Sequence, residues 1–259
     1  MEVAVKEGKY IYCIMTAADL PGGTKTFGLL GIGERGDEVY TVVYEDIAAV
    51  VSNSPIVSYS VARENMLAHE RVVEEVMKEY TVLPVRFCTI AKDDKKVAII
   101  LEKEYDKFKD MLAKIDGKKE LSLKAIFDAD AVYSNIIEKY KDIKTLKERL
   151  KGQPLDKTYY ERVAVGRLVE TALGEERQSY SEEILGALSP LVIETKINNT
   201  YGEKMIVNAA FLVDKDKESE FDEKIQELGA KYADLMKFKY VGTLPPFNFV
   251  NLIIETERY

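Results

Sequence analysis

The chain has 259 residues, 46% of them hydrophobic and 32% charged, and carries a formal net charge of −8. That length suits one large domain or two small ones, and the acidic balance argues against non-specific nucleic-acid binding, which needs clustered cations facing phosphate. No apolar run approaches the ~18 residues that span a bilayer, and Met1–Glu7 is charged without a hydrophobic signal core, so a soluble, cytoplasmic protein is expected.

Lys9–Met15 reads as a first strand, rich in β-formers. Asp19-Leu20-Pro21-Gly22-Gly23 is a loop by its punctuation. Phe27–Ile32, Val39–Tyr44 and Ile47–Val51 read as three short strands, with turns at Gly33–Asp37 and Glu45-Asp46. Ser60 is the expected N-cap of a helix running to Tyr80. At 100° per residue, Ala62, Met66, His69, Val73, Val76, Met77 and Tyr80 share one arc. Val82–Ile90 is the next strand. Asp93 or Asp94 then caps a second helix, in which Val97, Ile100, Leu101, Phe108, Leu112 and Ile115 keep a helical rhythm up to Gly117. Leu121–Phe127 closes this half as a strand, and the element order predicts helices on one face of a sheet.

Asp130–Gly186 is expected to be helical: Ala131–Leu150, a break at Lys151–Pro154, then Lys157–Leu185. Leu191–Ile197 and Lys204–Val213 form a hairpin about Asn198–Gly202. Ser219–Met236 is a helix, and Phe238–Val241 and Phe249–Ile254 read as closing strands. Pro245 and Pro246, which fix φ and donate no hydrogen bond, predict a rigid extended connector between those strands that displays Phe247 and Phe249. The fold class is therefore α+β. An N-terminal ferredoxin-like sandwich (1–128) is followed by a helical connecting region (129–187) and a smaller α+β, ferredoxin-like domain with a C-terminal tail (188–259). The two α+β halves share an element order without an obvious residue-level repeat.

Groups that carry chemistry are sparse. Cys13 and Cys88 lie far apart in apolar segments, which offers neither a disulfide framework nor metal-ligand spacing. His69, the single histidine, sits at the edge of a buried helical face and reads as a core histidine; an enzymatic reading would need a nucleophile or an orienting carboxylate beside it. Gly28–Gly33 lacks the order of a dinucleotide loop and reads as a twisted or bulged strand. The Lys-rich stretches Lys92–Lys96 and Lys141–Lys151 are interleaved with acids, as solvated helix faces are. Nothing points to an enzyme, a cofactor or a metal. Arg86, inside the apolar Leu83–Phe87, is either half of a structural ion pair or the anchor of a binding surface. A ligand-sensing α+β module is the alternative to a binding or assembly role, since fold alone cannot separate the two.

Five motifs in order carry a family resemblance: Tyr10-Ile11-Tyr12; Ile47–Ser52; His69-Glu70 ahead of Val82–Phe87; Asn208–Val213; and Tyr240–Val250. Together they resemble the gas vesicle protein F/L family over about residues 9–254. Departures are Cys88, where the family usually has Gly, the absence of a Trp before Leu121, and Thr243, Leu244, Phe247 and Asn248 in the terminal motif. The resemblance implies an accessory, minor component of gas vesicles that acts in nucleation or assembly. Its partners would be the small hydrophobic shell protein and other accessory proteins, with no nucleic acid or lipid membrane involved, and its location the gas vesicle and the cytoplasm. Arg86, Phe87, Pro245, Pro246, Phe247 and Phe249 are the residues expected to anchor contacts or hold the segments that make them.

Overall fold

The computed structural model describes residues 6–258 except Asp19, Pro21, Gly22 and Glu34. Most of the expected Asp19–Gly23 loop, one residue of the Gly33–Asp37 turn and most of the N-terminus therefore lie outside the described residues. Contacts divide the chain into two compact units, one running to Glu120 and resuming at Thr243, the other spanning Leu121–Gly242.

In the first unit, β1 (Glu7–Thr16), β2 (Thr26–Gly28), β3 (Val39–Tyr44), β4 (Ile47–Pro55) and β5 (Val82–Pro84) lie in the order β2-β3-β4-β1-β5, and β6 (Ile90–Ala91) also pairs with β1. Every residue from Tyr10 to Met15 is inaccessible to solvent, as in a central strand covered on both faces. α1 (Arg63–Met77) packs Val72, Val73 and Val76 into one cluster with Tyr10, Tyr12 and Met15. α2 (Asp94–Lys103) and α3 (Tyr105–Ile115) contact β1, β3 and β4, while Ile11 and Ile14 are buried outside that cluster. Helices therefore cover both faces, not one.

Several boundaries depart from expectation. Phe27–Ile32 is a strand only to Gly28, because Gly31 turns the chain: its N–H donates to the Asp37 carbonyl, and a Cβ there would approach that oxygen to 2.7 Å. Val82–Ile90 breaks after Pro84, at a bend where Cys88 has φ +65°. The second helix is capped by Asp93, whose carboxylate accepts from Lys96 N–H, and ends before Gly117 at φ +71°.

The second unit holds β7 (Lys118–Phe127), α4 (Ala129–Lys139), α5 (Lys141–Leu150), α6 (Tyr159–Leu188), β8 (Glu194–Ile197), β9 (Met205–Asp214), α7 (Glu218–Lys231) and β10 (Met236–Leu244), with β7 starting and β10 ending across the division. Its sheet runs β10-β7-β9-β8, so Leu121–Phe127 pairs here and does not close the first sheet. With the short β2 and β6 set aside, β5-β1-β4-β3 and β10-β7-β9-β8 have the same order, fourth-first-third-second, compatible with ferredoxin-like units. The first crossover differs: among the described residues it carries β2 and no α-helix in one unit, and α4–α6 in the other. Phe211, Phe221, Leu121 and Ile184 anchor the second core.

Phe249–Ile254 is not a strand. Val250, Leu252 and Ile254 are buried and alternate with exposed Asn251 and Ile253, but the only ladder contact described is a parallel bridge between Leu252 and Val85, in the first unit.

Candidate protein interface

The site is built where α1, the bend after β5 and the C-terminal tail meet in the first unit. Helical periodicity aims His69 inward from α1, and strand alternation aims Tyr10 and Tyr12 at it from β1. The Cys88 N–H donates to Tyr10 Oη at 2.9 Å, and Tyr10 Oη hydrogen-bonds His69 Nδ1 at 3.0 Å. The imidazole also hydrogen-bonds the Val85 backbone carbonyl. Burial pushes the imidazole pKa down to about 4 against the smaller effect of that carbonyl, and burial likewise raises the Tyr10 and Tyr12 hydroxyls, Tyr12 to about 12. His69 is 3% exposed, and its hydrogen-bond partners leave it no nucleophile to activate. It is a neutral core histidine, as its place on the helical arc suggested.

Outside this knot the bend opens a groove of about 580 Å³, lined by Ile56, Val57, Arg86, Phe87, Cys88 and Ile253 among others. Ile56, Val57 and Ile253 are 42%, 43% and 48% exposed, so aliphatic side chains reach solvent beside the polar groups of the groove. Arg86 is exposed on the same groove and makes no ion pair among the described residues, so the structural ion pair considered for it is not found. Its backbone N–H donates to the Leu252 carbonyl at 3.0 Å, which fastens the tail beside it. Cys88 holds a positive φ, a conformation that favours glycine, and its Sγ accepts from Tyr59 N–H at 3.3 Å.

The Pro-Pro segment is a turn, not an extended connector. Phe247 N–H donates to the Pro245 carbonyl, and Phe249 and Val250 N–H groups donate to that of Pro246. Both prolines are buried, Phe249 is half-buried, and Phe247 is 38% exposed. The Phe247 ring lies 6.3 Å from the His69 ring, and the Phe87 ring lies 5.9 Å from it. Phe87 and Phe247 thus both lie beside one histidine within the first unit. Asn248 fixes the turn: its N–H and side-chain amide donate to the two Glu120 oxygens at 2.9 and 2.6 Å. Glu120 is buried, and desolvation raises its pKa against the lowering effect of those bonds.

Arg86 and Phe87 therefore come together on the groove and Phe247 meets Phe87 through His69, while Pro245, Pro246 and Phe249 support the turn. Ile56, Val57, Ile253 and Glu120 were missed. An apolar pair after Pro55, between a strand and a helix, could have been noticed; a lone acid at the start of a strand could not. Among the described residues no cluster of His, Cys, Asp and Glu could hold a metal ion, and no helix is long and apolar enough to cross a membrane.

The sequence profile of the family described as "Gas vesicle synthesis protein GvpL/GvpF" matches residues 8–251. The chain is 29% identical to gas vesicle protein F of Dolichospermum flosaquae, over 88% of this chain and 93% of that protein. It is 28% identical to gas vesicle protein F of a Streptomyces species, over 85% and 91%. The crystal structure of the gas vesicle protein GvpF from Anabaena sp. PCC7120 superposes with a TM-score of 0.79 at 25% identity, covering 95% of this chain and 99% of that one.

Proposed function

This chain belongs to the gas vesicle GvpL/GvpF family, and we propose that it acts in nucleation or assembly of the vesicle by binding the small hydrophobic shell protein and other accessory proteins. Its place would be the cytoplasm and the gas vesicle. The observation that carries this reading is the groove beside Arg86, where exposed Ile56, Val57 and Ile253 match an apolar occupant. Arg86 and Phe87 are the anchors, since Arg and aromatic side chains dominate interface hot spots. Phe247 extends the aromatic surface, and Pro245, Pro246 and Phe249 hold the turn that carries it. The test is co-purification of the shell protein with the tagged full chain, beside Arg86→Glu and Ile253→Asp variants. The wild type should retain the shell protein and each variant should lose affinity by about tenfold, or ~1.4 kcal/mol. No association with the wild type, together with normal vesicles in a deletion strain, would sink the proposal.

A further inference from the structure

The second unit has a groove of its own, of about 720 Å³, between α4, α5 and α6. Ile137, Val165 and Val169 give it a half-buried apolar floor. Its rim carries Lys144, Lys147, Lys151 and Arg162 against a single acid, Glu148. This is a cationic site on a chain of net charge −8. None of these four cations forms an ion pair among the described residues. Lys147 lies over the Tyr133 ring at 4.7 Å, and Arg162 donates to the Thr158 hydroxyl and to the carbonyls of Leu150 and Gln153, while Lys144 and Lys151 make no ion pair among the described residues.

One more residue points outward. Gly166 is a poor choice for the interior of a 30-residue helix. It lines the groove, and a Cβ added there would meet nothing of the chain, so the notch in α6 is not filled from within. Such a notch lets another backbone approach closely.

An apolar floor under a cationic rim is the complement of an amphipathic helix with an apolar stripe and acidic flanks. The volume takes one face of about two helical turns. The chain's own acidic helix, α7, keeps Phe221, Ile225 and Leu228 buried and so offers no free stripe to a second copy. A concave groove does not fit a flat bilayer. We infer that the groove between α4, α5 and α6 docks an acidic amphipathic helix of another protein, its apolar stripe on Ile137, Val165 and Val169 and its carboxylates on Lys144, Lys147 and Lys151. No residue of the groove beside Arg86 takes part, so this inference stands or falls separately from shell-protein binding.

The probe is a fluorescein-labelled synthetic helix of about 18 residues with a leucine stripe flanked by Glu, compared with its Lys-flanked counterpart by anisotropy against the full chain. The Glu helix should bind at least about tenfold more tightly than the Lys helix and should weaken as NaCl rises from about 50 to 300 mM. Combining Lys144→Glu, Lys147→Glu and Lys151→Glu should reverse the preference. Gly166→Leu should block both helices while leaving Tm undiminished, since its side chain has open space. Equal binding of the two helices, or binding unmoved by both sets of changes, would overturn the proposal. So would sedimentation showing a dimer of the wild type that Gly166→Leu dissolves, because the occupant would then be a second copy.

Discussion

His69 shows how a side chain with acid–base capacity is made structural. Its pKa of about 4 lies below its ordinary 6.5, because burial disfavours the imidazolium more than the Val85 carbonyl favours it. Above about pH 6.5 the ring is neutral in folded and unfolded chains alike, and stability is unaffected by it. As pH falls toward 4 the unfolded chain takes up a proton that the folded chain refuses, so stability falls through that window and levels off below it. The difference corresponds to about 3 kcal/mol. Urea unfolding of His69→Gln should therefore lose about 3 kcal/mol less than the wild type between pH 7 and pH 4. Parallel pH profiles would refute this account. The sequence revealed the burial, because helical periodicity put His69 beside Val73 and Val76. It could not reveal the partners, because the Tyr10 hydroxyl and the Val85 carbonyl come from distant positions. Arg86 was legible as an anomaly in an apolar run, but only the fold shows that no carboxylate of the described residues pairs with it.

Periodicity reads which residues face inward, and tertiary tethers decide where an element begins or bends. β3 is Val39–Tyr44 as expected, a short alternating run between clear turns. The rhythm through Ile100, Leu101, Phe108 and Leu112 suggested one helix, yet it breaks at Glu104 because Asp46 accepts from Tyr105 Oη at 2.6 Å and pairs with Lys109 at 2.9 Å. Ala131–Leu150 bends at Tyr140, whose hydroxyl donates to Glu175 and Glu176 of α6. α1 starts later than Ser60 because Tyr59 is held by Cys88 Sγ and the Ser54 hydroxyl, which keeps the chain extended as far as Ala62. Ser60 instead accepts from the Asn65 side chain. The resulting N-cap is Ala62, with extended φ/ψ and no side-chain bond to the first turn. That conformation already suits a capping carboxylate, so Ala62→Asp should stabilise the protein by about 1 kcal/mol in urea unfolding, and Ala62→Ser by a similar amount. A neutral or negative effect of both would mean that the first-turn N–H groups are already satisfied.

At the scale of the whole molecule, the first unit is completed by residues from the far end of the chain. Val250, Leu252 and Ile254 bury alternate side chains in it, which is why they resembled a strand, yet they lack a ladder because the preceding turn is captured by Glu120. A reading that moves along the sequence sees local rhythm and assigns such a tail to its neighbours. Nothing in that rhythm reports a bond across 128 positions, the separation of Glu120 and Asn248. The shared strand order of the two sheets was hidden for a related reason: three α-helices, α4–α6, enlarge one crossover and no α-helix of the described residues enlarges the other, so the halves differ in length although their pairing agrees. The clamp gives this organisation a measurable consequence. Glu120→Ala removes the two carboxylate oxygens that accept from Asn248, at a cost of about 2 kcal/mol. Glu120→Gln keeps one carbonyl acceptor and should recover about half of that loss. Amide exchange of Asn248 and Val250 should quicken in the Ala variant, since the turn that protects them loses its tether. If Glu120→Gln were as damaging as Glu120→Ala, the negative charge would be what holds the turn and the hydrogen-bond count would be secondary. If neither variant altered exchange at Asn248, the buried prolines and Val250 would be sufficient to keep the tail in place without the carboxylate.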